Sequence, residues 1–272
     1  MSAAAALLTG GRLHLQHGPI DLILWANEGH RDAAYTAAAR RFDGLLDELV
    51  AELPVLRQPV RAGVLRGPVA RRMEAACLPH RPVFITPMAA VAGAVADEIV
   101  AAVATVPGLR KAYANNGGDI TIHLAGAETF AALMPGGRVN LHAQDPWRGV
   151  ATSGWRGRSH SLGIADAVTV IAVTGAAADA AATLIANAVD LPGHRAVTRR
   201  PACELAPDSD LGGRLVTVDV GALTDTEMAQ ALTRGLAAAE AMRARGLIGA
   251  AHLTLNRQSR ATGALIQEAA IA

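Results

Sequence analysis

The stretch Ala167-Val168-Thr169-Val170-Ile171-Ala172-Val173 passes through Thr174-Gly175 into Ala176-Ala177-Ala178-Asp179-Ala180-Ala181-Ala182-Thr183-Leu184-Ile185-Ala186-Asn187-Ala188-Val189. Its first half is β-branched at most positions, which suits a pleated, half-buried strand. Its second half is apolar except at Asp179, Thr183 and Asn187, which stand at i, i+4 and i+8 and so form one stripe on a helix. A carboxylate on so apolar a helix needs a partner, because an unpaired buried charge either costs several kcal/mol or takes up a proton. Asp and Thr oxygens one turn apart can share a hard cation such as Mg²⁺, which keeps several waters and bridges to phosphates. The alternatives are a stripe that faces solvent, or an Asp179 that satisfies free N–H groups at the helix start.

Working upstream, Arg12 to Asn27 alternates as a hairpin, with His17-Gly18-Pro19 at the turn and Ile20, Leu22 and Leu24 on one face. Arg31 to Leu53 is helical in pattern, Pro54 is expected to end that helix, and an irregular Arg- and Pro-containing stretch runs to Pro82. Met88 to Val106 reads as a second helix of small apolar residues with Asp97 and Glu98 near its middle. Tyr113 to Ala125 reads as strand, tight glycine turn and strand, and short strand-like pieces follow at Val139 to His142 and Val150 to Thr152. Downstream, a polar loop from Leu191 to Gly213 precedes a strand (Leu215 to Val220), a helix (Leu223 to Arg243) and a closing strand (Ile248 to Leu255). Elements of this order predict an α+β fold, helices packed on largely antiparallel sheet. The 272 residues suffice for one large domain over 1–272 or a two-lobed one.

Composition narrows the partners. Hydrophobic residues make up 51% and charged residues 18%, with few aromatics, so the core is packed mainly with Ala, Val, Leu and Ile. A net charge of +1 and the lack of a basic run argue against nucleic acid and an anionic membrane surface, leaving a small-molecule ligand. Lys111 is the only lysine, so anion recognition falls to arginine or to backbone N–H groups. Cys77 and Cys203 match no metal-ligand spacing and read as buried thiols in a reducing compartment. The Ala/Leu run between Met1 and Gly11 lacks the basic residues of a signal peptide and a lipid-attachment cysteine. No apolar stretch reaches about 18 residues, the length that suggests a membrane span. The expected setting is cytoplasmic.

Two further segments carry candidate chemistry. In Asn115-Asn116-Gly117-Gly118-Asp119 the paired glycines permit positive φ and close approach of a ligand to bare backbone N–H groups, while Asp119 can accept a hydrogen bond. An ordinary Asn-Gly hairpin turn explains the same residues. Thr152-Ser153-Gly154-Trp155-Arg156-Gly157-Arg158 offers two hydroxyls and two arginines for a phosphorylated or carboxylated ligand, with His160 close behind as a candidate catalytic group. A surface loop with solvated arginines is the plain alternative. No HExxH, GxSxG or Walker A pattern is present.

The order Gly149-Val150-Ala151-Thr152-Ser153-Gly154, Ala167 to Ala172, and Ala178-Asp179-Ala180-Ala181-Ala182-Thr183 resembles the TSG, SVTV and ADALAT blocks of ApbE, the FAD:protein FMN transferase family. Thr86 to Asp97 is similar to that family's DLGGIAKGYAVD segment, and Asn116-Gly117-Gly118-Asp119 to its NxGGD turn. The resemblance spans about Thr86 to Asp190 and implies a single ApbE-like α+β domain. It also implies FAD held near the glycine turn, and Mg²⁺ bound by Asp179, Thr183 and a backbone carbonyl near Ala89. The reaction it implies splits the FAD pyrophosphate and passes FMN to a threonine of an acceptor protein. Thr86 and Ala92 replace the aspartate and lysine of DLGGIAKG, the HxxDPxTG stretch is reduced to the residues around His160, and no lipoprotein signal is found. The chain therefore resembles the soluble, uncharacterised ApbE-like branch, and three readings follow: Mg²⁺-assisted cleavage or transfer of FAD or FMN, a flavin-binding carrier, or an enzyme that uses the same pocket on another small substrate.

Overall fold

The computed structural model describes residues 3–134, 137–264 and 266–268. Strands β1 (Ala4–Leu8), β2 (Arg12–His17) and β3 (Ile20–Ala26) lead into helices α1 (Arg31–Phe42), α2 (Leu45–Leu56), α3 (Pro68–Cys77) and α4 (Val91–Val103). Then come β4 (Lys111–Asn116), β5 (Asp119–Leu124), β6 (Thr129–Met134), β7 (Gly137–His142), β8 (Gly149–Ser153), β9 (Ala167–Ala172) and helix α5 (Gly175–Ala188). The last elements are β10 (Val197–Pro201), the short α6 (Ala202–Leu205), β11 (Leu215–Val220), α7 (Asp225–Ala244), β12 (Ala250–Leu255), β13 (Gln258–Thr262) and β14 (Ile266–Glu268). The expected mixture of helices and antiparallel sheet is what the chain forms.

Two compact units divide it. The first holds residues up to Phe130, Leu141–Ala151 and Val173–Asp179. In it β1, β2, β3, β4 and β5 pair antiparallel in sequence order, and Ile120 of β5 pairs with Val150 of β8. The alternation that predicts the β2–β3 hairpin is realised: Ile20, Leu22 and Leu24 are buried on one face, and Gly18 takes the positive φ of the turn. Helix α4 lies on β4 and β5 with α1 and α3 beside it. It can lie close because its buried side chains are Ala94, Val95, Ala96, Ile99, Val100 and Val103, most of them small.

The second unit holds Ala131–Asn140, Thr152–Ala172 and the chain from Ala180 onward. Here β9, β12 and β13 pair antiparallel and carry α7. Helix α7 starts on a full capping box, Thr224 accepting from the Glu227 N–H while the Glu227 side chain takes the Thr224 N–H. A Cβ on Gly235 of α7 would stand 2.2 Å from Val189, so glycine sets how near that helix comes.

Several expectations need correction. Pro54 does not end its helix; Gly44, at φ +75°, breaks Arg31 to Leu53 into α1 and α2, and Pro54 sits inside the last turn of α2. Proline costs a helix one N–H and crowds the preceding turn without preventing helical φ, whereas a left-handed residue takes the backbone out of the helix. The irregular stretch before Pro82 contains α3, which begins with Pro68 at its first position, where a missing N–H costs nothing. The Leu191 to Gly213 loop contains β10 and α6. The run from Met1 to Gly11 contains β1, residues 1 and 2 lying outside the described residues. Cys77 is buried as expected, but Cys203 is exposed on α6.

Backbone contacts too close for any side chain fix the first unit. A Cβ on Gly93 would lie 2.2 Å from the Gly175 carbonyl oxygen, and one on Gly149 would lie 2.0 Å from that of Thr174. Gly93→Ala should therefore lower stability by roughly 1–3 kcal/mol, the cost of an overpacked core. Gly213→Ala, where nothing lies within 4 Å of the added carbon, should melt within a degree or so of wild type by calorimetry.

Candidate functional site

Asp97 is buried on an apolar helix and resolves its charge with three donors. Oδ1 accepts from Thr121 Oγ1 at 2.7 Å and from the Gly175 N–H at 2.8 Å, and Oδ2 accepts from the Ala176 N–H at 2.9 Å. These are among the N–H groups that a helix leaves unsatisfied at its start, where the dipole also favours an anion. Burial still pushes the Asp97 carboxyl up, opposed by the Ala176, Thr121 and Gly175 hydrogen bonds and by Arg72. The Asp97 carboxylate thus fixes the first turn of α5 against α4 and β5.

One turn further along α5 stands Asp179. Its Oδ2 accepts from the Gly93 N–H at 3.1 Å, at the start of α4. Asp179 keeps partial surface exposure, yet it sits deep enough that desolvation is the largest influence on its carboxyl and raises it well above the ordinary value of 3.8. The charge of Asp119 raises it next, the Gly93 and Ala92 N–H groups oppose the rise, and Asp97 adds to it. The buried Cys77 thiol is pushed up by desolvation and by Asp179, which removes it as a nucleophile.

The glycine turn closes the third side. Asn116 donates from Nδ2 to the Ala92 carbonyl at 3.1 Å, tying the β4–β5 hairpin to the first turn of α4. Gly117 and Gly118 have φ of +65° and +115°, as a two-residue hairpin turn requires. Their N–H groups are not bare: Gly117 donates to the Asp21 carbonyl at 3.2 Å and Gly118 to Asn115 Oδ1 at 2.8 Å. What the turn offers instead is open space, since nothing lies within 4 Å of a Cβ built on Gly118. Asp119 follows, almost fully buried.

Asn116 on β4, Asp119 on β5 and Asp179 on α5 all lie within the first unit, where Asn116 is tied to Ala92 of α4 and the charge of Asp119 acts on Asp179. Ala89 lies one turn before Gly93, in the 3₁₀ turn Pro87–Ala90. Thr183 stands one turn beyond Asp179 on α5, half-buried, and its hydroxyl has no partner among the described residues. Asn187, the third member of the stripe, does not face solvent: its Oδ1 accepts from Leu162 N–H at 2.8 Å and Ser161 Oγ at 3.2 Å.

The second candidate segment lies in the second unit. Thr152 Oγ1 shares a hydrogen bond with Thr169 Oγ1 at 2.8 Å, and Ser153 is half-buried. Gly154 leaves no room for a Cβ, which would lie 2.2 Å from the Asp166 carbonyl. Arg156 pairs with Asp166 at 3.2 Å and lies 4.7 Å over the Trp155 ring. Arg158 and His160 are exposed. Sequence reasoning left Asp97, Gly93 and Thr121 without a role; the signal was a carboxylate within an otherwise apolar helix.

With this geometry in place, the family model described as "AbpE bacteria" matches residues 4–262, and the chain belongs to that family. A UPF0280 protein of Methanopyrus kandleri is 32% identical over 196 residues, covering 69% of this chain and 78% of its own length. A UPF0280 protein of Methanothrix thermoacetophila is 39% identical over 129 residues, covering 45% of this chain and 52% of its own. Among solved structures, the apo form of flavinyl transferase ApbE from Pseudomonas stutzeri aligns over 96% of both chains with a TM-score of 0.50 and 14% identity, a likeness of fold. No helix among the described residues is long and apolar enough to cross a membrane.

The Asp179 environment makes a pH prediction. Its folded carboxyl keeps its proton to higher pH than the unfolded carboxyl, whose ordinary value is 3.8, so the native state loses stability as pH rises through that interval and carries the full penalty above it. In metal-free protein, Asp179→Asn should melt above wild type at pH 8, because the amide oxygen still accepts from Gly93. The gap should close as pH falls below the unfolded value. Equal melting at pH 8 would show that the charge is not strained.

Proposed function

We propose that the site around Asp179 binds a flavin nucleotide, FAD or FMN, with Mg²⁺, and that the protein cleaves the FAD pyrophosphate and passes FMN to an acceptor protein. The observation that carries this reading is the Asp179 carboxylate, raised by desolvation and then by the charge of Asp119, beside an open glycine turn. A cation there would offset the repulsion; its ligands by the family resemblance would be the Asp179 carboxylate, the Thr183 hydroxyl and the Ala89 carbonyl, oxygens of the kind a hard cation takes. Among the described residues no three His, Cys, Asp or Glu side chains gather as a metal centre, so the remaining positions would fall to water and phosphate oxygens. Mg²⁺ supplies Lewis-acid polarisation of a phosphoryl oxygen when bound.

The chain's own residues supply the rest. Asp97 holds the α5 turn, Asn116 holds the glycine turn against α4, and the space over Gly118 admits the ligand. The transfer breaks the P–O bond between the two phosphates, forms a P–O bond to the acceptor hydroxyl, and releases AMP with the hydroxyl proton. In the second unit, Thr152, Ser153, Gly154, Arg156 and Arg158 are proposed as an anion-recognition segment and His160 as a proton acceptor. The motif order, the family, and the fold shared with a flavinyl transferase support this reading. The replacements at Thr86 and Ala92 favour a second one, in which the same pocket serves another phosphorylated substrate and FAD is bound but stays intact.

With water in place of the acceptor hydroxyl, purified protein incubated with FAD and Mg²⁺ is expected to release FMN and AMP, followed by chromatography of the nucleotide pool, and Asp179→Ala should cut the rate at least about 100-fold, the usual effect of removing electrostatic stabilisation from a reaction. Bound but unchanged FAD would reject cleavage and leave the second reading. Gly118→Val should weaken flavin binding at least about tenfold while remaining folded, since a β-branched residue is strained at φ +115° and fills the open space. Normal binding by a folded Gly118→Val protein would reduce the turn to a structural one.

A further inference from the structure

Strand β1 ends the antiparallel sheet of the first unit, and among the described residues nothing pairs with its outer edge. Its five residues, Ala4-Ala5-Ala6-Leu7-Leu8, carry no charge and no proline, and all are exposed. Exposed strand edges are usually guarded by Lys, Pro or a bulge, because their unpaired N–H and C=O groups recruit another strand. This edge has none of those guards.

The surroundings are self-complementary. Ala5 pairs with Leu15 and Leu7 with Leu13, so Ala5 and Leu7 point to the same face of the sheet as two buried core leucines. On that face a hollow of about 360 Å³ opens between β1 and the end of α1, lined by Ala5, Leu15, Ala39 and Phe42. Leu7, two residues away, is 73% exposed. Arg40 and Asp43, of opposite charge and both exposed, stand at the rim of the hollow without an ion-pair partner among the described residues.

We propose that two copies of this chain associate through β1, antiparallel about a two-fold axis at Ala6, so that Leu7 of each copy enters the hollow beside Ala5 of the other. In this register Ala4 faces Leu8 and Ala5 faces Leu7 across the axis, and cross-strand neighbours share a face. An isologous contact needs one patch that fits itself. Here it is a knob and a hollow on one face, donors and acceptors along one edge, and an Arg40 and an Asp43 that can each meet the other's counterpart. A second copy fits this surface better than an acidic or basic partner, because the edge is uncharged and the rim carries one charge of each sign. A standard stable interface engages roughly 20–30 residues a side, more than this strand and rim provide, so the dimer should dissociate on dilution.

Sedimentation velocity of the full chain across a hundredfold concentration range tests the proposal. Wild type should pass from monomer to dimer. Leu7→Lys, which changes an exposed residue and so should melt like wild type, should shift the midpoint upward at least about tenfold. Arg40→Asp should weaken the dimer and Arg40→Asp/Asp43→Arg should restore it. In a Cys203→Ser background, Ala6→Cys should form an inter-chain disulfide on mild oxidation, because directly opposed residues bring their Cα atoms to roughly 4.5–5.5 Å, within bridging range. A monomer at every concentration overturns the proposal. So does a dimer that is indifferent to Leu7→Lys and does not cross-link through position 6, since such a dimer uses another surface.

Discussion

The two oxygens of Asp97 take the Gly175 and Ala176 N–H groups and the Thr121 hydroxyl, and the first unit depends on that contact. It lets the backbone at the start of α5 lie against the backbone of α4, with glycine required at Gly93 and Gly175 because a side-chain carbon at either would sit 2.2 Å from its neighbour. It also offsets the cost of a carboxylate in an apolar layer, since hydrogen bonds to a charged group contribute about 1.5–3 kcal/mol each. Without it, α5 would begin on uncapped N–H groups in a buried place, and Asp179 would lose its fixed position one turn along.

The same packing creates the tension at Asp179. Asp97 is answered by three donors, whereas Asp179 has backbone N–H groups on one side and the charge of Asp119 on another. Burial and the neighbouring charge favour the protonated form of that carboxyl, and a cation beside it would offset the same repulsion. This contrast, one carboxylate answered by three donors and its neighbour raised by burial and by the charge of Asp119, sets the two groups apart more sharply than the motif order does.

Much of this was legible in the sequence. The hairpin at Gly18, the strand at Ala167 and the Asp179, Thr183, Asn187 stripe follow from residue periodicity, which local sterics and burial enforce. The motif order identified the family. Three things were not legible. The break at Gly44 was hidden because a helical hydrophobic pattern continues across it. Helix α3 was hidden because its proline and paired arginines look like a loop until Pro68 is seen at a helix start. The engagement of the Gly117 N–H depends on Asp21, nearly a hundred residues earlier, and no local pattern reports a partner so far along the chain. In the stripe itself, sequence treats Asn187 like Asp179, and only the packing of residues 161–162 shows that it holds a loop.

Hydrogen exchange of the backbone amides in Asp97→Ala, compared with wild type under conditions where both are folded, addresses the central claim most directly. If Asp97 holds the start of α5, the amides from Gly175 to Asp179 should lose protection by at least about tenfold, which corresponds to 1.4 kcal/mol, while those of β4 and β5 stay protected. Unchanged protection at Gly175 and Ala176 would contradict the account, because the helix start would then be fixed by something other than this carboxylate.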